Sequence, residues 1–255
     1  MISYQQSVDY ASKRSQAERN VKDHIDDVLT NTVKSIAIKT NIIKTVTSKE
    51  ELKAEVYKAA ENDLKLANRI IANYITEYSK ASIKVLGDKD TGALTRMLNG
   101  KLFGKTFKQR NDTYMSYFAN DVTNLLYACR VLDMNAADTQ KALLQFFKDP
   151  YTSDIIARAN KKNANIATPE YGRGIYHSAY ENVVRNAQGT IALVWQKELG
   201  NYAKRSGALM FTPHRGSSYI CPLCDSYAER SFPIDTWDEN APLYHSRCKC
   251  YVTFN

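Results

Sequence analysis

Five residues near the end of the chain carry donor atoms suited to a soft divalent metal. Cys221-Pro222-Leu223-Cys224 supplies two thiols; 20 residues later, His245-Ser246-Arg247-Cys248-Lys249-Cys250 supplies an imidazole and two more. A Cys-x-x-Cys pair in a tight turn aims both sulfurs at one point, and Pro222 helps set that turn. A second pair from elsewhere in the chain then completes a tetrahedron. Zinc suits thiolate and imidazole ligands and takes four of them in a closed structural site. Five candidates therefore compete for four places. Cys221 and Cys224 are common to every set. The second pair is His245 with Cys250, or His245 with Cys248 if the last strand turns earlier. Cys248 and Cys250 also share a face of an extended strand, so both could bind and exclude His245.

The distribution of cysteine favours metal over disulfides. Four of the five cysteines fall in one 30-residue window, whereas disulfide scaffolds spread them through a small secreted chain. A catalytic zinc would keep one position open beside a general base. Glu229, Asp235, Asp238 and Glu239 lie between the ligand pairs, but their scatter in a turn-rich loop reads as solvated charge. The sequence has no His-Glu-x-x-His, no nucleobase-deaminase pattern, no Gly-x-Ser-x-Gly and no phosphate-binding glycine loop. His214-Arg215, ahead of the Gly216-Ser217-Ser218 turn, could grip an anion; the plainer expectation is two exposed polar side chains in a loop. His24 and His177 are isolated in sequence, and Cys129 reads as a small core residue. No constellation for enzymatic chemistry is visible.

The elements that must position these donors are helices. Ser48-Lys49-Glu50-Glu51 has capping-box form. After it, Leu52, Val56, Ala59, Leu64, Ala67, Ile70, Ile71, Tyr74 and Tyr78 recur at steps of three and four, predicting a helix of about 30 residues that ends near Leu86-Gly87. Tyr114, Phe118, Val122, Leu125, Cys129 and Leu132 form a second stripe, with Asp112 as its expected cap. Shorter helices are expected over 136–148, after Asn135, and over 152–161. A last long stripe runs from Tyr176 and Tyr180 through Val183, Val184, Ala187, Ile191, Val194, Trp195 and Leu199 to Tyr202. From Gly207 the grammar becomes that of strands: Ala208–Phe211 closed by Pro213, and Tyr251–Phe254 at the end. The fold class expected is mainly α, an elongated multi-helix body with a small C-terminal α+β zinc-stapled module. Residues 1–165 would form the helical domain and 166–255 the long helix with its module. The polar stretch between Lys161 and Gly174 is the expected linker, or else a loop inside one domain.

The module after Gly207 has few large aliphatic residues, too few for a core of its own. Zinc at such a site can supply on the order of 10 kcal/mol of folding free energy. The chain as a whole, at 255 residues and 28.9 kDa with 44% apolar and 24% charged residues, has ordinary globular composition. No stretch approaches the roughly 18 apolar residues of a membrane span, and the first residues lack an apolar signal-peptide core. The net charge of +8 and pI near 9.1 permit nucleic acid or an acidic partner. Because both signs are mixed along the chain, they do not demand one.

The order long helix, short strand, Cys-x-x-Cys, loop, Pro242, His245-x-x-Cys248-x-Cys250 resembles the phage minor head, or head morphogenesis, proteins of the Mu protein F-like family. The resemblance covers roughly residues 170–255. The family's usual Asp before the first cysteine is replaced here by Ser217-Ser218-Tyr219-Ile220, and its Gly-Lys after the second by Ala228-Glu229-Arg230. An apolar strand-like Ser231-Phe232-Pro233-Ile234 is retained. The resemblance implies a virion component that acts by binding, not catalysis. Its partners would be portal and capsid proteins, with packaged DNA nearby, and its place, in multiple copies, the head interior or portal vertex after assembly in the host cytoplasm. A different expectation from the same cysteines is a zinc-ribbon nucleic-acid-binding protein using Arg230, Arg247 and Lys249 on phosphates.

Overall fold

The computed structural model describes residues 2–40, 48–87, 92–102, 104–169, 178–245 and 247–255. The chain is mainly α-helical, with one small antiparallel sheet at its C-terminal end. The helices are α1 (Tyr4–Thr40), α2 (Lys49–Leu86), α3 (Ala93–Asn99), α4 (Phe107–Val131), α5 (Ala136–Phe146), α6 (Asp154–Lys161) and α7 (Ala179–Arg205). Then come strand β1 (Met210–His214), a helical turn α8 (Pro222–Asp225), strand β2 (Phe232–Pro233), a second helical turn α9 (Trp237–Asn240) and strand β3 (Tyr251–Phe254). No helix among the described residues is long and apolar enough to cross a membrane.

Local chemistry explains most boundaries. Ser48 and Glu51 form the reciprocal capping box, Ser48 Oγ accepting from the Glu51 N–H at 3.2 Å and the Glu51 carboxylate from the Ser48 N–H at 3.3 Å. The helix that follows runs 38 residues, longer than its stripe suggested, and ends at Gly87 with φ 62°. Asn135 caps α5 by accepting from the Asp138 N–H at 2.9 Å, and Ser153 caps α6. Asp112 is not a cap. Helix α4 begins five residues before it, at Phe107, and the Asp112 carboxylate instead accepts from Lys108 at 2.6 Å and Asn68 at 2.5 Å. The preceding Leu102–Lys105 turn, with Gly104 at φ 77°, starts the helix early. Tyr176 and His177, at the head of the last stripe, lie outside the described residues.

The chain divides into two compact units, each built from separated stretches. One comprises His24–Ala72 and Lys108–Val184. Its core includes Phe118, Val122, Leu125, Cys129, Leu143 and Phe147, all buried, with Phe147 edge-on to both Phe118 and Tyr180. The boundary expected near residue 165 falls inside this unit. There Asn160 clasps Ile166 through both of its amide atoms, at 2.9 and 2.8 Å, so residues 162–166 fold back onto the end of α6.

The other unit comprises Met1–Asp23, Asn73–Phe107 and Arg185–Asn255 and contains the sheet. Helix α7 ends where Gly207 takes φ 77° and the Ala208 N–H reaches back to the Ala203 carbonyl at 3.1 Å, the αL termination that glycine allows. The strand order is β2-β1-β3. Strand β1 starts at Met210 and runs through Pro213, which pairs with Val252. A strand residue points its N–H and C=O to the same side, and the Pro213 carbonyl accepts from the Glu229 N–H at 2.8 Å, away from β3. The missing proline N–H therefore costs no bond to β3. Phe211, Pro213, Val252 and Phe254 are buried on one face; Thr212, His214, Tyr251 and Thr253 form the other, partly open face.

Candidate metal centre

The cluster is assembled from two turns and the lead into β3. In the first turn Pro222 opens α8, the Asp225 N–H bonds the Cys221 carbonyl at 2.9 Å, and both sulfurs turn to one side. In the second, the Cys248 N–H bonds the His245 carbonyl at 3.2 Å, with Arg247 at φ 64°. Cys250 follows in extended chain just before β3. All five candidate donors come together. Cys221, Cys224 and His245 form one group and Cys224, Cys248 and Cys250 another, with ligand atoms in each within 4.8 Å of one another. Cys224 belongs to both. The His245 Nε2 lies 3.0 Å from the Cys224 sulfur and 3.2 Å from that of Cys221, and the Cys224 and Cys248 sulfurs are 3.8 Å apart.

These distances suit a four-coordinate ion. With metal–sulfur bonds near 2.3 Å and tetrahedral angles, two sulfurs stand about 3.8 Å apart, and a sulfur and an imidazole nitrogen about 3.5 Å. The five cysteines are all free thiols; a 3.8 Å separation is far beyond the roughly 2.05 Å of a disulfide. Cys224, Cys248 and Cys250 are buried, Cys221 is half-buried and His245 exposed, so the cluster is closed on the protein side and reached from the imidazole side. Leu243 and Tyr244 pack against it, and Tyr244 stacks on Tyr227 with ring centroids 4.3 Å apart.

Electrostatics make the bare cluster frustrated. A hydrogen bond from Cys250 draws the Cys248 thiol down to about 5, and the Cys224 N–H lowers Cys221. Burial pushes Cys224 up to about 12, and the hydrogen bond Cys250 gives to Cys248 drives Cys250 far above the ordinary thiol range. One thiolate is favoured at the expense of its neighbours, because buried negative charges a few Å apart repel. A divalent cation removes that conflict by stabilising several thiolates together. The donors present can therefore hold a metal ion. No carboxylate joins either group among the described residues.

The surroundings fix the ligand-bearing chain from positions sequence reasoning missed. Arg14, on α1, is buried and donates from Nη2 to the Cys250 carbonyl at 3.1 Å; Glu18, one turn on, takes the ammonium of Lys249 and pairs with Arg14 at 3.4 Å. Tyr4 meets Tyr251 hydroxyl to hydroxyl at 3.2 Å. Gly216 lies so close to the same stretch that a Cβ there would sit 1.8 Å from the Lys249 carbonyl oxygen. The N-terminal helix thus holds the last cysteine from some 236 residues away in sequence. No local signal marks that pairing; a buried arginine one helical turn from a glutamate is visible in the sequence only as an ordinary i,i+4 pair.

His214 and Arg215 do not form an anion grip. His214 closes β1, with Nδ1 2.9 Å from Glu229 and Nε2 2.8 Å from the Thr253 hydroxyl, and stacks on Tyr251. Arg215 pairs with Asp225 and donates to the carbonyls of Tyr219 and Ser217, tying down the loop that leads to Cys221. Asp238 pairs with Lys197 at 2.5 Å, while Asp235 and Glu239 are exposed. Of the basic residues expected around the metal, Lys249 is engaged with Glu18 and Arg230 is exposed. Comparison of the chain with protein-family models, curated proteins and solved structures finds no match.

Proposed function

We propose that this chain is a structural minor head protein of a tailed phage, of the Mu protein F-like kind, with its C-terminal end held by a structural zinc ion. The carrying observation is the convergence of Cys221, Cys224, His245, Cys248 and Cys250 at the end of a helical body. The run of long helix, strand, cysteine turn and terminal strand follows the order on which the family resemblance rests. Sulfur-rich donors with one imidazole favour zinc over harder ions. With four such donors and, among the described residues, no carboxylate in either donor group, the ion has a staple's chemistry rather than a catalyst's. The protein then works by binding. Tyr219, Ile220 and Leu223, exposed around the first cysteine turn, supply apolar contact for a portal or coat subunit. Lysine 249 is committed to Glu18, which favours protein partners over a phosphate backbone.

Two measurements test this. Elemental analysis of protein purified without chelator is expected to give one zinc per chain. Co-sedimentation with portal rings of the encoding phage is expected to retain the full chain. Protein whose two cysteine turns stay closed without metal sinks the staple, and a chain that neither sediments with portal rings nor occurs in purified heads sinks the virion role.

A further inference from the structure

Five donors surround a site that takes four, and the backbone distinguishes them. Cys221 and Cys224 are presented by a turn in which residue i and residue i+3 carry the ligands. His245 and Cys248 have the same i, i+3 spacing in a different turn, one closed by the Cys248 N–H on the His245 carbonyl with Arg247 in the left-handed region, where the cysteine turn is helical and closed by the Asp225 N–H on the Cys221 carbonyl. Such a turn brings its first and last side chains to one side. Two turns that each carry donors three residues apart supply two ligands each, which makes four.

Cys250 is placed differently. Its backbone is pinned on one side by Arg14 and on the other by Gly216, whose absent Cβ leaves room for Lys249 and Cys250 alone. Lys249 and Tyr251, on either side of it, are tied to Glu18 and Tyr4. The cysteine is thereby fixed to the sheet and to α1 rather than to the turn. Cys248 stands 3.8 Å from Cys224, a tetrahedral edge, and the imidazole lies 3.0 and 3.2 Å from Cys224 and Cys221, while the Cys250 sulfur lies within 4.8 Å of those of both Cys224 and Cys248, near enough to act on a bound sulfur.

Building on the zinc reading above, we infer that the ion is held by Cys221, Cys224, His245 and Cys248, and that Cys250 is a positioning residue whose S–H donates to the bound Cys248 sulfur. A thiolate that accepts a hydrogen bond is a weaker electron donor and a more stable ligand, the part outer-shell groups play in other metal sites. The extended segment that leads through Cys250 into β3 then transmits the hold of α1 to the metal without touching it.

Cobalt substitution of the full-length protein reads the ligands directly, since each thiolate bound to cobalt adds to the near-ultraviolet charge-transfer band. Cys250→Ser is expected to keep the wild-type band intensity per bound ion and to weaken affinity by about tenfold, in a chelator competition. Cys248→Ser and His245→Ala are expected to weaken it by more than about 100-fold, the upper range for outer-shell changes. Among ions that still bind, Cys248→Ser loses a third of the band. A one-third loss in Cys250→Ser, or a His245→Ala protein with unchanged affinity and spectrum, would overturn the assignment. Should Cys248→Ser fail to fold, the Cys250→Ser band alone decides. Wild-type protein that takes up neither cobalt nor zinc defeats the metal site itself, an outcome distinct from a misassigned ligand.

Discussion

The two sides of the C-terminal module are held by different physics. On one, Phe211 packs against Trp237 with ring centroids 4.9 Å apart and against Phe232 at 5.7 Å, and Trp237 stacks on Phe254 at 5.8 Å. Phe211 is fully buried, and Trp237 lies against Gly200 of α7. Such a cluster stabilises itself, because aromatic burial and ring contacts need no added component. On the other side four cysteines and a histidine converge, groups that bring little apolar area and repel one another when ionised. Burial alone suffices for the first; the second has the donors to hold a cation. The difference shows how the 50 residues after helix α7 can fold while half of them lack an apolar core.

Removing the ion should break the comparison most sharply. With a strong chelator, the sulfur side is expected to lose the metal's contribution, on the order of 10 kcal/mol at most, and to open between the two cysteine turns. The aromatic side should persist. Limited proteolysis would then cut near exposed Tyr219 and Ile220, while near-ultraviolet dichroism of the tryptophans stays native. Simultaneous loss of both signals would show that the module is one cooperative body.

The reciprocal change is Phe211→Ala, with an expected loss of about 3–5 kcal/mol from cavity and transfer terms together. Thermal or denaturant unfolding measures it. Metal affinity should change far less than stability, since Phe211 touches none of the five donors. An equal loss in zinc affinity would merge the two sides.

Much of the sulfur side was legible in the sequence, because side chains able to bind metal announce themselves by residue type and spacing. The five donors, the turn at Pro222 and the terminal strand are local features. The aromatic side was not. Counting large aliphatics from Gly207 onward finds few, and the aromatic residues that replace them are spaced at Phe211, Phe232, Trp237 and Phe254, with no period to join them. They meet only because β1 pairs with both other strands. The grip of Arg14 and Glu18 on the last cysteines was equally hidden, since long-range packing leaves no mark in either segment. Helices fared better: the stripes through Leu52, Ala67 and Ile71 and through Phe118, Val122 and Leu125 are buried as their periodicity requires. The start of α4 was misplaced because Asp112 has the right residue type for a cap while the real signal, the turn at Gly104, sits in the stretch before it.

Cys129 offers a contrast within one residue type. It sits alone in an apolar helix core, and burial pushes its thiol up to about 11 against an ordinary 9.0. A folded-state pKa raised above the unfolded one favours the protonated, neutral form in the native state. Its contribution is fully present below about pH 9 and disappears as pH rises toward 11. The two-unit difference corresponds to roughly 2–3 kcal/mol. Unfolding measured at pH 8 and pH 10.5 should therefore show a loss that Cys129→Ala removes. The cysteines assigned as ligands differ in kind: with metal bound, Cys221, Cys224 and Cys248 would already be thiolates, and it is acid, through competition of protons for the ligands, that would free them. A Cys129 that reacts with thiol reagents at neutral pH in the folded protein would contradict its burial.

The smallest expected effect sharpens the boundary between the two sides. A Cβ at Gly200 would fall 2.3–2.6 Å from the Nε1, Cε2 and Cδ1 atoms of Trp237, so Gly200→Ala must push the indole. Overpacking of this kind costs about 1–3 kcal/mol. Alanine in the body of α7 recovers about 1 kcal/mol of helix propensity, and the indole N–H, which has no hydrogen-bond partner, loses none when it moves. The net change should therefore be a destabilisation of roughly 0–2 kcal/mol, with altered tryptophan dichroism and unaltered metal affinity. A shifted affinity would mean that Trp237 and the cysteine cluster communicate through β3, whose residues Val252 and Phe254 face the same buried side as Phe211. In that case the strand is a shared beam rather than a partition, and the order of strengths given above would have to be measured as couplings rather than as separate losses.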